Sequence, residues 1–263
     1  MSIPVTGQTE TSRLPVHLKI SIVTRVLYAL ALLASGVLWI LLLWRIIFDA
    51  QVLPWYSLLA APAGILVADF CSGLVHWGSD TWGSESMPIL GKRLLHPFRV
   101  HHVNPADFLD RSFLDTNGDI AFLGPLVLLP ALQIPLESPL LVMATIFIAA
   151  FSIAGLMTNQ IHQWAHMQHA PVLVRWLQRW GIVLSHTAHE KHHRPPYDRN
   201  YCITTGWCNR PLQAIQFYRG AEVLITSLTG AQPRTDDHDF AARLRIQGVH
   251  CEGRCEFGCR CWQ

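Results

Sequence analysis

Two fragments of one stretch, Asn159-Gln-Ile-His-Gln-Trp-Ala-His166 and His189-Glu-Lys-His-His193, decide how this chain is read. On a helix His162 and His166, four residues apart, project from one face. His189, His192 and His193 stand at i, i+3 and i+4, which again brings three rings to one side. Neutral imidazole is the commonest metal-binding side chain, and helices that present it at these spacings build cofactor sites between them. Five inward ring nitrogens exceed what a single zinc needs. The expectation is a site for more than one metal, with two irons as the working assignment.

Working outward, the stretch begins where the longest continuous apolar run, Leu140 to Ile161, gives out. Three earlier runs resemble it. Val26 to Trp44 is uncharged between Arg25 and Arg45, and Ala50 to Ala68 is uncharged up to Asp69. Ile120 to Leu136 is interrupted by Pro125 and Pro130. A spanning helix needs about twenty apolar residues, so spans are expected at about 26–46, 50–70, 120–136 and 139–161, with Pro54-Trp55-Tyr56 as an interfacial anchor. Composition agrees. Hydrophobic residues make up 51% of the 263 and charged residues 14%, against about 25% charged in soluble domains. The net charge of +2 gives no basis for nucleic-acid binding. The first apolar run is too long for the core of a cleaved secretory signal.

With four spans, the N-terminus, the loop 69–119 and everything after 161 share one side. That side holds nineteen of the twenty Lys and Arg, leaving Arg45 near the other face. The positive-inside rule therefore puts the N-terminus and both histidine-rich regions in the cytoplasm. The fold class expected is an all-α integral membrane protein, about four transmembrane helices under a cytoplasmic histidine-rich helical cap. Residues 1–20 form a polar N-terminal segment, 21–237 the membrane domain, and 238–263 a Cys-rich tail with Cys251, Cys255, Cys259 and Cys261. Reduced thiols on a flexible tail are the reading for those cysteines, since the spacing lacks a paired C-x-x-C.

Further candidates lie in the first polar loop. Asp69, His76 and Asp80 would line one face where the second span leaves the bilayer, the carboxylates in supporting roles beside the metal ligands. His101 and His102, adjacent on a helix, point about 100° apart and can serve two neighbouring metals. Asp115-Thr-Asn-Gly-Asp119 leads into the third span, where Asn117 or Asp119 is expected to cap the helix. His189-Glu190-Lys191-His192-His193 contains H-E-x-x-H, the zinc metallopeptidase signature, but that reading leaves His76, His101, His102, His162, His166 and His192 without work. Counting favours the other one. Eight histidines (76, 101, 102, 162, 166, 189, 192 and 193) fall close to span ends on one side and supply four per metal for two metals, with positions open for dioxygen. Ligand type alone does not choose among iron, zinc, copper and nickel; attack on an unactivated lipid C–H bond does, because zinc lacks redox chemistry. His17, His96, His169, His186, His238 and His250 are read as structural or solvated.

Several blocks resemble one family. Asp69-Phe-Cys-Ser-Gly-Leu-Val-His-Trp-Gly-Ser-Asp-Thr-Trp-Gly-Ser84, Pro97-Phe-Arg-Val-His-His102 and Asp115-Thr-Asn-Gly-Asp119 are similar to the plasmanylethanolamine desaturase family of Kua-like lipid desaturases. So are Asn159-Gln-Ile-His-Gln-Trp-Ala-His166, His189-x-x-His-His193 and Cys202-Ile-Thr-Thr-Gly-Trp207, in matched order from about Asp69 to Asp237. The resemblance implies a vinyl ether bond introduced into an alkyl-ether phospholipid. It also implies dioxygen, two electrons from a donor such as cytochrome b5 or a ferredoxin, and a di-iron centre on the same eight histidines. A more distant member of the family desaturates an acyl chain of a chloroplast lipid, so an acyl-lipid desaturase or a hydroxylase of the same di-iron type is the alternative. The ether chain is expected in a channel between the spans. The basic stretch Arg194 to Arg210, with Arg194 and Arg199 foremost, is expected to hold the phosphate, and Asn159 to orient a ligand or a bound water. The metallopeptidase, and a metal-handling membrane protein without catalysis, remain as readings of other classes. The Cys-rich tail is not a feature of the family.

Overall fold

Local chemistry starts the long helices. The computed structural model describes residues 19–194 and 197–234, so the Cys-rich tail and residues 1–18 lie outside the described residues. Helix α1 (Ile22–Phe48) is capped by Ser21, whose hydroxyl accepts from the Thr24 amide at 3.1 Å. Helix α2 (Ala60–Thr81) continues a short 3-10 turn, Trp55–Leu59. Between Gly91–Leu95, one wide π-type turn, and α5 lie α3 (His96–Val103) and α4 (Pro105–Leu109). Helices α5 (Phe113–Ala121) and α6 (Leu123–Ala131) are short. Helix α7 (Pro139–His166) takes its cap from Ser138 and places Pro139 in the first turn, where its missing N–H costs nothing. The rest of the cap is α8 (Val172–Arg179), α9 (His186–Glu190), α10 (Asn209–Ala214) and α11 (Phe217–Thr229).

Three helical runs, Ile22–Phe48, Trp55–Thr81 and Pro139–His166, have the length and composition to cross a membrane. Each has 27 or 28 residues, about 40 Å at about 1.5 Å per residue, against a hydrocarbon core of about 30 Å. The surplus matters here. The second run continues past Asp69 through His76 and Asp80, and α7 continues past Ile161 through His162 and His166, so all four stand on extensions of the spans. Outward faces are apolar: Leu30, Leu33, Ile40, Leu126 and Leu140 are each more than half exposed, a surface suited to hydrocarbon. This is a membrane protein.

The third apolar run departs from expectation. Instead of one helix over 120–136, α5 and α6 meet at Phe122. Pro125 has no N–H for the Ala121 carbonyl, which a continuous helix would require. The Ser35 hydroxyl of α1 donates to that oxygen instead, at 2.9 Å. Gly124 makes the approach possible, because a Cβ there would fall on the Ser35 hydroxyl. The pair still runs the length of α1, in the same direction. At one end Arg25 grips Asp115 with two bonds, 2.9 and 2.6 Å. At the other Arg45 donates to the carbonyls of Leu132 and Ile134, closing the end of α6.

The expected cap at Asn117 or Asp119 is also corrected. Ser112 starts α5, accepting from the Asp115 amide at 3.2 Å. Asn117 lies inside that helix and donates to Phe113 O and to Gln160 Oε1 of α7, while Asp119 pairs with Arg93. A serine one turn earlier is as good a cap and leaves Asn117 free to tie two helices. Leu42, Ile46, Leu128, Val142 and Ile146 fill the end of the bundle that Arg45 closes. Ile161, Ala165, Val183, Leu184 and Ile203 join the other end to the cap.

Candidate metal centre

The eight histidines come from four separate places. His76 stands on the last turns of α2 and His101 and His102 on α3. His162 and His166 end α7; His189 is on α9, with His192 and His193 in the turn after it. Ser185 caps α9 by accepting from the Ala188 amide, which fixes where the His189 turn begins. The structure divides these residues into two adjoining groups. His101, His162, His166, His189 and His193 form one; His76, His102 and His192, joined by Asp80, form the other. Within each group the nearest ligand atoms all lie within 4.8 Å of one another. Both adjacent pairs split: His101 and His193 face one group, His102 and His192 the other, as the rotation of about 100° between neighbouring helical residues requires for the first pair.

Nitrogen meets nitrogen throughout. In the larger group the Nε2 separations are 2.8 Å for His162–His189, 2.7 Å for His166–His189 and 3.0 Å for His101–His166. His193 lies 3.0 Å from His189 and 3.1 Å from His101. Metal ligands at about 2.1 Å stand about 3.0 Å apart across an octahedral edge and about 3.4 Å across a tetrahedral one. The spacing fits a shared cation. A hydrogen bond satisfies only one pair at a time, whereas His189 Nε2 faces three other ring nitrogens at once. The residues therefore fit a metal centre.

Burial and backbone acceptors prepare the rings. His76 and His192 are fully enclosed, at 0% exposure. His76 Nδ1 lies 3.0 Å from Tyr201 O and His192 Nδ1 2.9 Å from Arg199 O. A carbonyl only accepts, so in the neutral ring the proton sits on Nδ1 and Nε2 presents its lone pair inward. Burial, aided by the neighbouring imidazoles, pushes His101, His102, His189 and His193 well below the usual histidine range, and burial pushes His192 down to about 4. Neutral imidazole is the form that binds metal.

Asp69 has a different job from the supporting role expected beside the ligands. It accepts from the amides of Thr204, Thr205 and Gly206 on one oxygen, at 3.2, 2.7 and 2.9 Å, and from Cys208 on the other, at 3.0 Å. It thereby pins the strap 201–208 against α2, and that strap carries the Tyr201 carbonyl that orients His76. Asn159 donates to Thr116 O at 3.0 Å, tying α7 to α5. Arg194 pairs with Glu190 at 2.8 Å and Arg199 lies 3.4 Å from Asp198. Glu190, the base a metallopeptidase would need, is half-exposed and belongs to neither group. His96 faces Glu85, and His186 reaches Ala165 O; both stay outside the groups.

Two features escaped sequence reasoning: the carbonyls of Tyr201 and Arg199, which carry no side-chain signal. Asp80, expected in a supporting role, lies among the ring nitrogens themselves.

Residues 65–236 match the model of the lipid desaturase domain. The chain is 45% identical over 183 residues to plasmanylethanolamine desaturase of Myxococcus xanthus, covering 70% of this chain and 65% of that protein. It is 44% identical over 194 residues to plasmanylethanolamine desaturase 1 of Mus musculus, covering 72% of each. Chloroplastic fatty acid desaturase 4 of Arabidopsis thaliana is 33% identical over 179 residues, 67% of this chain and 54% of that one. No solved structure matches. The chain belongs to the lipid desaturase family.

Proposed function

We propose that this desaturase-family protein forms the vinyl ether bond of plasmalogens from plasmanylethanolamine, using dioxygen and two irons held by the histidine groups. The observation that carries the reading is the convergence of eight ring nitrogens, in two adjoining groups, at one end of an apolar helical bundle. Two relatives above 40% identity bear the corresponding name. A di-iron centre, when bound, supplies the activated oxygen needed to break unactivated C–H bonds. The balance is simple: two C–H hydrogens, two electrons and two protons reduce one dioxygen to two waters and leave one C=C bond. The electrons come from a protein donor such as cytochrome b5 or a ferredoxin.

The chain's own residues do the rest. The larger group is His101, His162, His166, His189 and His193; the other is His76, His102 and His192 with Asp80 among them. Tyr201 O and Arg199 O hold two of these rings in the metal-binding tautomer. An apolar groove between α2 and α7, lined by Ile65, Ile153, Ala154, Met157, Ile161 and Ile182, offers the alkyl chain a seat. Arg194 and Arg199, both exposed, meet the phosphate. The distribution of Lys and Arg supports a cytoplasmic position for this end of the bundle.

Acyl-lipid desaturation is the second reading, on the strength of the chloroplastic relative named as a fatty acid desaturase. Lipid mass spectrometry of cells with and without the gene separates the two. Loss of acid-labile vinyl ethers supports the first; loss of an acyl double bond supports the second. His166→Ala should abolish product while the protein stays in the membrane, and retained product in that variant would sink both.

A further inference from the structure

We infer that Asp80 is itself a metal ligand, so that the two positions are chemically unlike: five imidazoles at one, three imidazoles and a carboxylate at the other. The inference rests on reading the two groups as a two-metal centre. Asp80 stands one turn beyond His76 on α2, with its side chain 6% exposed. Its Oδ2 lies 3.4 Å from His76 Nε2, 3.5 Å from His102 Nε2 and 3.5 Å from His192 Nε2. One oxygen is thus nearly equidistant from three ring nitrogens of three different elements.

Those contacts are not hydrogen bonds. Charge-assisted N–H···O bonds run at about 2.7–2.9 Å, and His76 Nε2 makes no hydrogen bond at all. Nor do two of the rings have a proton to give. His76 and His192 spend theirs on Tyr201 O and Arg199 O, so their Nε2 lone pairs face the carboxylate oxygen, acceptor against acceptor. Ring nitrogens and a carboxylate oxygen converging on one point are the donor set of a cation site. The separations agree with that, since ligands at about 2.1 Å from a metal stand about 3.4 Å apart across a tetrahedral edge. His102 and His192 complete the set at 3.0 Å.

The carboxylate changes what the position can do. Five neutral nitrogens leave a bound ion's charge intact, whereas an anionic hard oxygen offsets part of it and favours the more highly charged state. The two ions then differ in the ease with which each gives up an electron. The eight histidines alone already divide five to three; the carboxylate adds a difference in charge to that difference in number.

The test uses the full-length holoprotein purified in detergent from cells grown on Mössbauer-active iron, measuring iron per chain and the Mössbauer spectrum. Wild type should give two unlike quadrupole doublets. Asp80→Ala should halve the iron-to-chain ratio and remove one doublet. Asp80→Asn, which keeps the shape and loses the charge, should shift that same doublet while leaving the other unmoved, and it decides the matter if the alanine variant fails to fold. Both variants retaining the wild-type ratio and both wild-type doublets would overturn the inference, even if lipid desaturation by the wild type upholds the functional reading. Conversely, a wild type with two unlike irons that forms no double bond would sink the functional reading and leave Asp80 as a ligand. Wild-type protein that takes up no metal would overturn both.

Discussion

Asp69→Asn isolates the strap that orients the first histidine. The carboxylate is fully buried, at 0% exposure, and accepts four backbone amides from Thr204 to Cys208. An asparagine keeps its oxygen for the first three but turns an NH2 toward the Cys208 amide, donor against donor. One charge-assisted bond is lost outright, about 1.5–3 kcal/mol, and the three that remain become neutral ones of about half the strength. The total is about 3 kcal/mol or more, on the order of 10 °C in Tm for a domain of this size. Thermal unfolding in detergent reads this directly. Metal content gives the second measure, because a loosened strap carries the Tyr201 carbonyl away from His76 Nδ1 and lets that ring turn. An Asp69→Asn protein that melts within about 2 °C of wild type and binds as much metal would refute the reasoning, and with it the claim that the strap sets the His76 tautomer.

Three further outcomes follow from particular contacts. Gly118 lies where a Cβ would enter the Tyr28 ring, so Gly118→Ala should cost about 1–3 kcal/mol by overpacking α5 against α1, seen as a lower Tm with no change in metal content per folded chain. Glu190→Gln removes a half-exposed pair with Arg194 worth at most about 1 kcal/mol; product formation should be unaffected, whereas complete loss of activity would revive the metallopeptidase reading. For acid stability, burial pushes the Asp115 carboxyl up, but the bonds from Arg25 and Ser112, together with the charges of Arg25 and Arg111, outweigh it and hold the group below its ordinary value of 3.8. A carboxyl depressed in the folded state contributes stability that is complete above its unfolded value and is lost as pH falls through the lower folded value. The Arg25–Asp115 tie should therefore survive at neutral pH and fail only below about pH 4, and Asp115→Asn should remove that part of the acid slope in a Tm titration.

Much of the bundle was legible because its signals are local. Nineteen uncharged residues between Arg25 and Arg45 state their own length, and Ser138-Pro139 writes the start of α7 in two letters. The third run was harder. Pro125 warned of a break, yet a proline frees the carbonyl four residues earlier without saying what will take it. The answer, Ser35, is 86 positions away in sequence. Asn117 and Asp119 misled for a related reason, since Asx residues near a helix start serve as caps or as interior ties with equal composition, and only the neighbouring Ser112 decides.

The candidate site divides along the same line. Histidines could be counted, and their spacing on helices already split His101 from His102 by direction. Second partners could not be read, because most are backbone. Any residue at 201 or 199 offers a carbonyl, so neither position has a composition to notice. Asp69 and Asp80 looked alike in sequence, two carboxylates on one helix flanking His76. Their surroundings separate them: Asp69 meets only N–H donors and so acts as an anchor for backbone, whereas Asp80 Oδ2 meets ring nitrogens that have no proton to spare. A carboxylate among donors is satisfied as it stands. The ring nitrogens around Asp80 Oδ2 stand instead at the spacing of ligands about one ion, and that difference in neighbours separates the scaffold carboxylate from the one inferred to bind metal.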